Sequence, residues 1–304
     1  MKDYIDRYRD DFGVEPICRV LQMAPSCYWR HAARQRNPQL RSARAQRDEG
    51  LMADIQRVWH ANWQVYGADK VWLQMNREGI SVARCTVERL MRAMGLQGAR
   101  RGRRVRTTTP DTSAPCPQDH VSRQFKASRP NELWVSDFTY VATWSGFVYV
   151  AFVIDAYARR IAGWRVSRTA QTGFVPDALE QALYDRQPAA DALTHHSDRG
   201  SHHVSIRYTG RLDQAGIQPS VGSKGDSYDN ALAETINGLY KAELIHRRGP
   251  WKTRESVELA TLQWVHWFNH VRLLTPIGGI PPAEADANYW RQTANSNTST
   301  EVST

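Results

Sequence analysis

Three carboxylates stand where residue type and surroundings could do chemistry together: Asp137 in WVSDFTYV, Asp198 in HHSDRGS and Glu234 in DNALAETINGLYKAEL. The first two are 61 positions apart and the last two 36. They sit in different local patterns, two strand ends and a helix, so only a fold brings them together. Converged, they supply the hard oxygen ligands that suit Mg²⁺ or Mn²⁺. Two such ions about 3.5 to 4 Å apart activate an attacking oxygen and stabilise the leaving oxygen of a phosphodiester. Cutting and joining nucleic acid is the chemistry this set implies. Taken singly, each acid has an ordinary reading: a solvated edge-strand carboxylate at Asp137, a turn residue at Asp198, an exposed helix charge at Glu234.

Other ionisable groups compete for the same role. Asp226 and Asp229 lie in or beside the loop GSKGDS, where turn and capping duties suffice. Glu243 is nine residues past Glu234 and so falls on roughly the opposite helix face. Asp155 ends an apolar strand and serves its hairpin. Four histidines, His195, His196, His202 and His203, flank Asp198 and raise the question of zinc. Zinc takes a tetrahedral set, and adjacent His195 and His196 on a strand point to opposite faces. A packed, hydrogen-bonded His196 is the plainer reading.

The elements that must position the triad begin after Pro130, where the texture turns abruptly to β. Leu133–Val141 reads as one strand, Phe147–Ile154 as a central strand buried on both faces, and Arg160–Val166 as a third. A helix with Val175, Ala178, Leu179, Ala182 and Leu183 on one face follows. Then come a short strand into Ser197-Asp198, a helix, a strand at Gln218–Val221, and the helix bearing Glu234. The order βββαβαβα predicts a mixed α/β sheet covered by helices. The helix around Trp264, Trp267 and Phe268 covers a core, with Asn269 and Arg272 near its end as structural or DNA contacts. From Thr293 the Asn/Ser/Thr run predicts a disordered tail.

Upstream the pattern is helical. Leu51, Met52, Ile55, Val58 and Trp59 keep helical spacing until Gly67, and a short helix carries Val71, Trp72 and Met75. After Gly79, Ser81 is a candidate N-cap for a third helix with Val87, Leu90, Met91 and Met94. Arg84, Arg89 and Arg92 lie off that last apolar stripe, so the helix is a candidate to enter a major groove, as in a helix-turn-helix. A weaker copy precedes it: Pro16, Ile17, Val20 and Leu21, then Pro25 with Tyr28 and Trp29. Residues 35–49 read as a polar connector or exposed helix.

The net charge of +9 over 304 residues is unevenly placed. Residues 1–131 carry 24 Lys+Arg against 13 Asp+Glu, and residues 132–304 carry 16 against 18. Phosphate neutralisation dominates nucleic-acid affinity, so the front reads as the DNA grip and the rear as the catalytic part. Arg100, Arg101, Arg103, Arg104 and Arg106 open a basic linker, and Lys224 makes the loop before the Glu234 helix cationic. The four cysteines, Cys18, Cys27, Cys85 and Cys116, show neither disulfide nor zinc spacing. No apolar run suits a membrane span or signal peptide, which predicts a cytoplasmic, nucleoid-associated protein. The expected layout is an N-terminal helical region at 1–50, a helix-turn-helix at 51–98, a linker at 99–131, a core at 132–292 and a tail at 293–304.

The words WVSDFTYV, FVIDAYARRIAGW, HHSDRGS, SKGDSYDNALAETINGLYKAEL and WFNHVRLL resemble those of the second-reading-frame (OrfB) transposases of bacterial insertion sequences, whose catalytic core is of the retroviral-integrase DDE type. The resemblance implies a ribonuclease-H-like five-stranded sheet, with Asp137, Asp198 and Glu234 holding two Mg²⁺ or Mn²⁺ ions. It assigns an assisting role to the basic residue seven positions after the glutamate, Lys241, which returns to nearly the same helix face. It further implies cleavage and strand transfer on double-stranded DNA, at the terminal inverted repeats and the target. Homo-oligomers on DNA and an upstream OrfA protein, free or as an OrfA–OrfB fusion, are the implied partners. Two rival readings are a DNA-binding regulator with a vestigial core and a nuclease that cuts without joining. Where relatives read DRGSQY this chain has DRGSHH, a departure that leaves the triad intact.

Overall fold

The computed structural model describes residues 1–100, 127–169, 174–189, 191–197, 206–221 and 231–301. These form two compact units, Met1–Trp63 with Val71–Gln97, and Gln64–Lys70 with Gly98–Thr304.

The first unit is all helical: α1 (Lys2–Phe12), α2 (Val14–Val20), α3 (Pro25–Arg36), α4 (Ala43–Ala61), α5 (Ala68–Arg77, shared with the second unit at its start) and α6 (Arg84–Ala93). Ile5, Ile17, Cys18 and Tyr28 make one core. Tyr28 is fixed by donating to Asp6 at 2.7 Å and accepting from Arg9 at 3.3 Å. The sequence pattern missed α1, whose single buried side chain is Ile5. It also misjudged Val20, which is 82% exposed rather than on an apolar face with Ile17.

Leu51, Ile55, Val58, Val71, Met75, Val87, Leu90 and Met91 are buried at the helical spacing expected of them. Two boundaries differ. Helix α4 starts at Ala43, where Ser42 Oγ accepts from Ala45 N, so the division expected at residue 50 falls inside a helix. Its first two turns carry arginines and no apolar stripe to announce them. Helix α6 starts after Ala83 instead of at Ser81, because the Trp72 indole N–H bonds to the Val82 carbonyl at 2.9 Å and holds 81–83 extended.

The second unit is built on a five-stranded sheet in the order β3-β2-β1-β4-β5. The strands are β1 (Leu133–Thr143), β2 (Gly146–Asp155), β3 (Ile161–Ser167), β4 (Thr194–Ser197) and β5 (Gln218–Val221). The first three pair antiparallel, and β4 and β5 add in parallel. Helices α7 (Phe174–Arg186) and α8 (Ile206–Gln214) precede β4 and β5 respectively. After β5 come α9 (Ala231–Tyr240), a π-helical turn (Lys241–Ile245), α10 (His246–Arg248), α11 (Arg254–His270) and α12 (Pro282–Glu301). The expected mixed sheet with flanking helices is thus present.

Alternation along the strands splits the core into two layers. Trp134, Ala151, Val153 and Ala162 pack with Val175, Ala178, Leu179 and Ala182 of α7. At Gly163 the approach is so close that a Cβ would sit 2.1 Å from the Ala178 carbonyl oxygen, so only glycine fits. On the other face Phe152 meets Tyr240 and Trp264, at ring separations of 5.2 and 6.0 Å. Strand and helix ends are tied by buried polar groups. Asp155 accepts from the backbone N–H groups of Asn131 and Tyr157 at 2.7 and 2.9 Å. Burial pushes its carboxyl above the usual range, and those N–H groups and Arg186 oppose the shift. Asn269 clasps Ile161 through both its amide atoms.

Helix α12 continues to Glu301, across residues for which a disordered tail is expected. Extending an existing helix costs far less than nucleating one, and Thr293 bonds back to the Tyr289 carbonyl at 3.0 Å.

Candidate active site

Asp137 lies in the middle of β1, opposite Phe152 on β2. It therefore shares the face covered by α9 and α11. Its Oδ2 accepts a 2.9 Å hydrogen bond from Asn237 Nδ2 of α9, and its Oδ1 accepts from the backbone N–H of Phe138 at 2.8 Å. Glu234 stands three residues before Asn237, so the two are neighbours on one helix face, with Cβ atoms about 5 to 6 Å apart. The hydrogen bond thereby brings the strand that bears one acid against the helix turn that bears the other. Asn237 is buried and neutral, so it orients Asp137 without cancelling its charge. The sequence reading passed over Asn237. No spacing signal marks it, because its role depends on β1 lying opposite α9.

Asp198 lies outside the described residues, as do His202 and His203. The strand leading to it, β4, ends at Ser197, whose register partner on β1 is Ser136, the residue before Asp137. His195 and His196 are both buried in β4, and His196 Nδ1 is 2.9 Å from Ser220 Oγ of β5. Among the described residues no three His, Cys, Asp or Glu side chains are grouped as a metal site.

The donor chemistry nevertheless fits a hard divalent cation. Asp137 and Glu234 are oxygen donors set on rigid elements, and the Asn237 amide that orients Asp137 carries no charge of its own.

Lys241 opens the π-helical turn that follows α9. Its Nζ sits 4.9 Å from the ring centroid of Tyr140, three residues beyond Asp137 on β1. A π-turn here re-aims the side chains that follow it. Glu243, in the same turn, is only 5% exposed and forms a two-pronged ion pair with Arg272, which is 2% exposed. Arg272 Nε reaches the two carboxylate oxygens at 3.1 and 2.8 Å, and the guanidinium also lies over Phe268. Glu243 is accordingly a structural acid, and Asn269 and Arg272 are structural contacts.

The arginines expected on the outer face of α6 are all engaged. Arg84 and Arg92 flank Glu88 at 3.1 and 3.3 Å, and Arg89 reaches Asp48 of α4 at 2.8 Å. Arg100 is exposed; Arg101, Arg103, Arg104, Arg106 and Lys224 lie outside the described residues.

Comparison with known proteins identifies the family. A family model described as an HTH-like domain matches residues 46–104, and two integrase core domain models match 127–227 and 215–282. The transposase for insertion sequence element IS629 of Shigella sonnei is 56% identical over 295 residues, 97% of this chain and 98% of that protein. The chain belongs to the insertion-sequence transposases. A putative transposase for IS986/IS6110 of Mycobacterium tuberculosis (strain CDC 1551 / Oshkosh) is 55% identical over 276 residues, 90% of this chain and 98% of the relative. Among solved structures, the HTLV-2 integrase catalytic core domain in complex with magnesium matches with a TM-score of 0.43 and 16% identity, over 52% of this chain and 98% of that one. The transposase is of the OrfB type, a DDE polynucleotidyl transferase whose integrase-type core follows an HTH-like domain. Among the described residues no helix is long and apolar enough to cross a membrane.

Proposed function

We propose that this transposase cuts DNA at the ends of its own insertion sequence and joins the freed strands to a target, using Asp137, Asp198 and Glu234 as the ligands of two Mg²⁺ or Mn²⁺ ions. The observation that carries the reading is the 2.9 Å hydrogen bond from Asn237 to Asp137, which ties β1 to α9 one turn from Glu234. When bound, divalent ions stabilise the attacking and leaving oxygens of an in-line displacement at phosphorus.

The chain's own residues set the stage. Asn237 and the Phe138 N–H fix the Asp137 carboxylate, so it need not reorganise during reaction. Lys241, steadied against Tyr140, meets a phosphate of the DNA strand under attack. Water or a DNA 3′-hydroxyl is the nucleophile, so no side chain carries a covalent intermediate.

The HTH-like helices α4 to α6 grip double-stranded DNA at the terminal repeats. Arg84, Arg89 and Arg92 contribute there, and Arg100, Arg101, Arg103, Arg104, Arg106 and Lys224 contact further phosphates. The active species is a homo-oligomer pairing two element ends, made with an upstream OrfA product or as its fusion, in the bacterial cytoplasm.

The test is purified protein, alone or with its upstream partner, with terminal-repeat DNA in Mg²⁺ or Mn²⁺. Wild type nicks and joins, whereas Glu234→Gln does neither and still binds DNA. Undiminished strand transfer by that variant rejects the triad.

A further inference from the structure

Between the first turns of α4 and α6 lies a half-open cleft of about 490 Å³, lined by Ala43, Arg44, Arg47, Asp48, Thr86 and Arg89. Three guanidinium groups surround one carboxylate. Arg89 bonds Asp48 at 2.8 Å. That bond holds the Asp48 carboxyl below the usual range, with burial opposing and with Arg44 and Arg47 adding to the attraction. The cleft keeps an excess of two positive charges even with Asp48 ionised. Both helices also present their N-terminal turns to it, Ala43 and Arg44 from α4 and Thr86 from α6, and the positive ends of two helix dipoles favour an anion there.

We propose that this cleft is a phosphate site for the backbone of duplex DNA, and that Asp48 is its built-in competitor. In free protein the carboxylate occupies Arg89, and a DNA phosphate takes over that guanidinium together with Arg44 and Arg47. The site deepens, and rests on, the reading that the HTH-like domain binds duplex DNA. It adds to the outer face of α6, where Arg84 and Arg92 share Glu88, a second grip in the seam between α6 and α4. A phosphate contact carries no sequence information, so its effect is equal on any duplex.

The experiment uses the full chain, with fluorescence anisotropy on a terminal-repeat duplex and on an unrelated duplex between 50 and 200 mM salt, values chosen to span the range in which counterion release is steep. Arg44 and Arg47 are exposed, so Arg44→Gln with Arg47→Gln leaves the helices intact. The expected result is about tenfold weaker binding to both duplexes and a salt slope shallower by about one. Asp48→Asn moves the other way, binding both duplexes roughly two- to fivefold tighter, the range an exposed ion pair's strength allows. Damage to the fold cannot tighten binding. If wild type binds DNA while the double arginine variant keeps its slope, or Asp48→Asn weakens binding, the cleft is not the site. If wild type binds neither duplex, the DNA-binding reading itself fails, and the cleft with it.

Discussion

Glu243→Gln should unfold this protein's core more easily, whereas Glu234→Gln, nine residues earlier, should leave stability untouched and remove activity. The contrast follows from where each carboxylate lies. Glu243 and Arg272 are 5% and 2% exposed, and the guanidinium donates through both Nε and Nη2. Gln cannot neutralise Arg272, so the substitution leaves a buried cation uncompensated. Removing one partner of a buried pair costs about 3 to 5 kcal/mol. Gln keeps the shape and one acceptor, which puts the cost near the lower end, about 3 kcal/mol. That is roughly a 150-fold change in the ratio of folded to unfolded protein, and a fall in Tm of about 6 to 12 °C for a unit of this size.

Thermal and urea unfolding, followed by tryptophan fluorescence, measure it directly, because Trp264 and Trp267 lie in the layer beside Arg272. Replacing both partners by Met, Glu243→Met with Arg272→Met, should restore most of the loss, since the apolar pair carries no stranded charge. A Glu243→Gln protein that melts within about 1 °C of wild type and is catalytically dead would refute the reasoning. It would make Glu243, not Glu234, the helix acid of the reaction.

Three more outcomes are expected. Asn237→Ala frees the Asp137 carboxylate to rotate, so strand cleavage should fall about 10- to 100-fold with a raised Mg²⁺ requirement, read from a metal titration of nicking rate. Gly163→Ala sets a methyl group 2.1 Å from the Ala178 carbonyl oxygen and should cost about 3 kcal/mol in urea unfolding as β3 and α7 are forced apart. Asp286 is held below the usual carboxylate range: burial alone would raise it, but hydrogen bonds and charge from Arg186 and Arg160 win. A depressed carboxylate contributes stability that is present above its unfolded value near 3.9 and is lost as pH falls through the lower folded value. Asp286→Asn should therefore lower stability at neutral pH and flatten the acid limb below about pH 4, measured as Tm against pH.

The strands and α7 were legible because their signal is local. Phe147–Ile154 reads as a strand buried on both faces, which holds from Val150 onward while Phe147 at its start is 57% exposed, and Val175, Ala178, Leu179 and Ala182 mark one helix face. Helix α1 and the first turns of α4 were not legible, since helices that bury one side chain or none carry no periodic stripe. The Ser81 cap failed because a tertiary bond, Trp72 to Val82, outranked a local preference. The same division runs through the site. The acids could be picked out by their surrounding words, yet nothing in spacing distinguished Asn237 from any other polar helix residue, because its meaning depends on β1 lying opposite.

Glu234 and Glu243 show why acid type alone never settles function. Both lie on the continuous helical stretch that begins with α9, Glu243 buried and Glu234 partly exposed. What separates them is the partner. Glu243 has Arg272, whose positive charge leaves no room for a metal cation, while the polar neighbour one turn from Glu234 is an uncharged amide bound to a second carboxylate. A buried acid with a matched cation contributes to folding specificity. Asn237, a neutral donor, ties the Asp137 carboxylate to the helix turn that bears Glu234, whereas the π-turn at Lys241–Ile245 carries Glu243 into its buried pairing with Arg272.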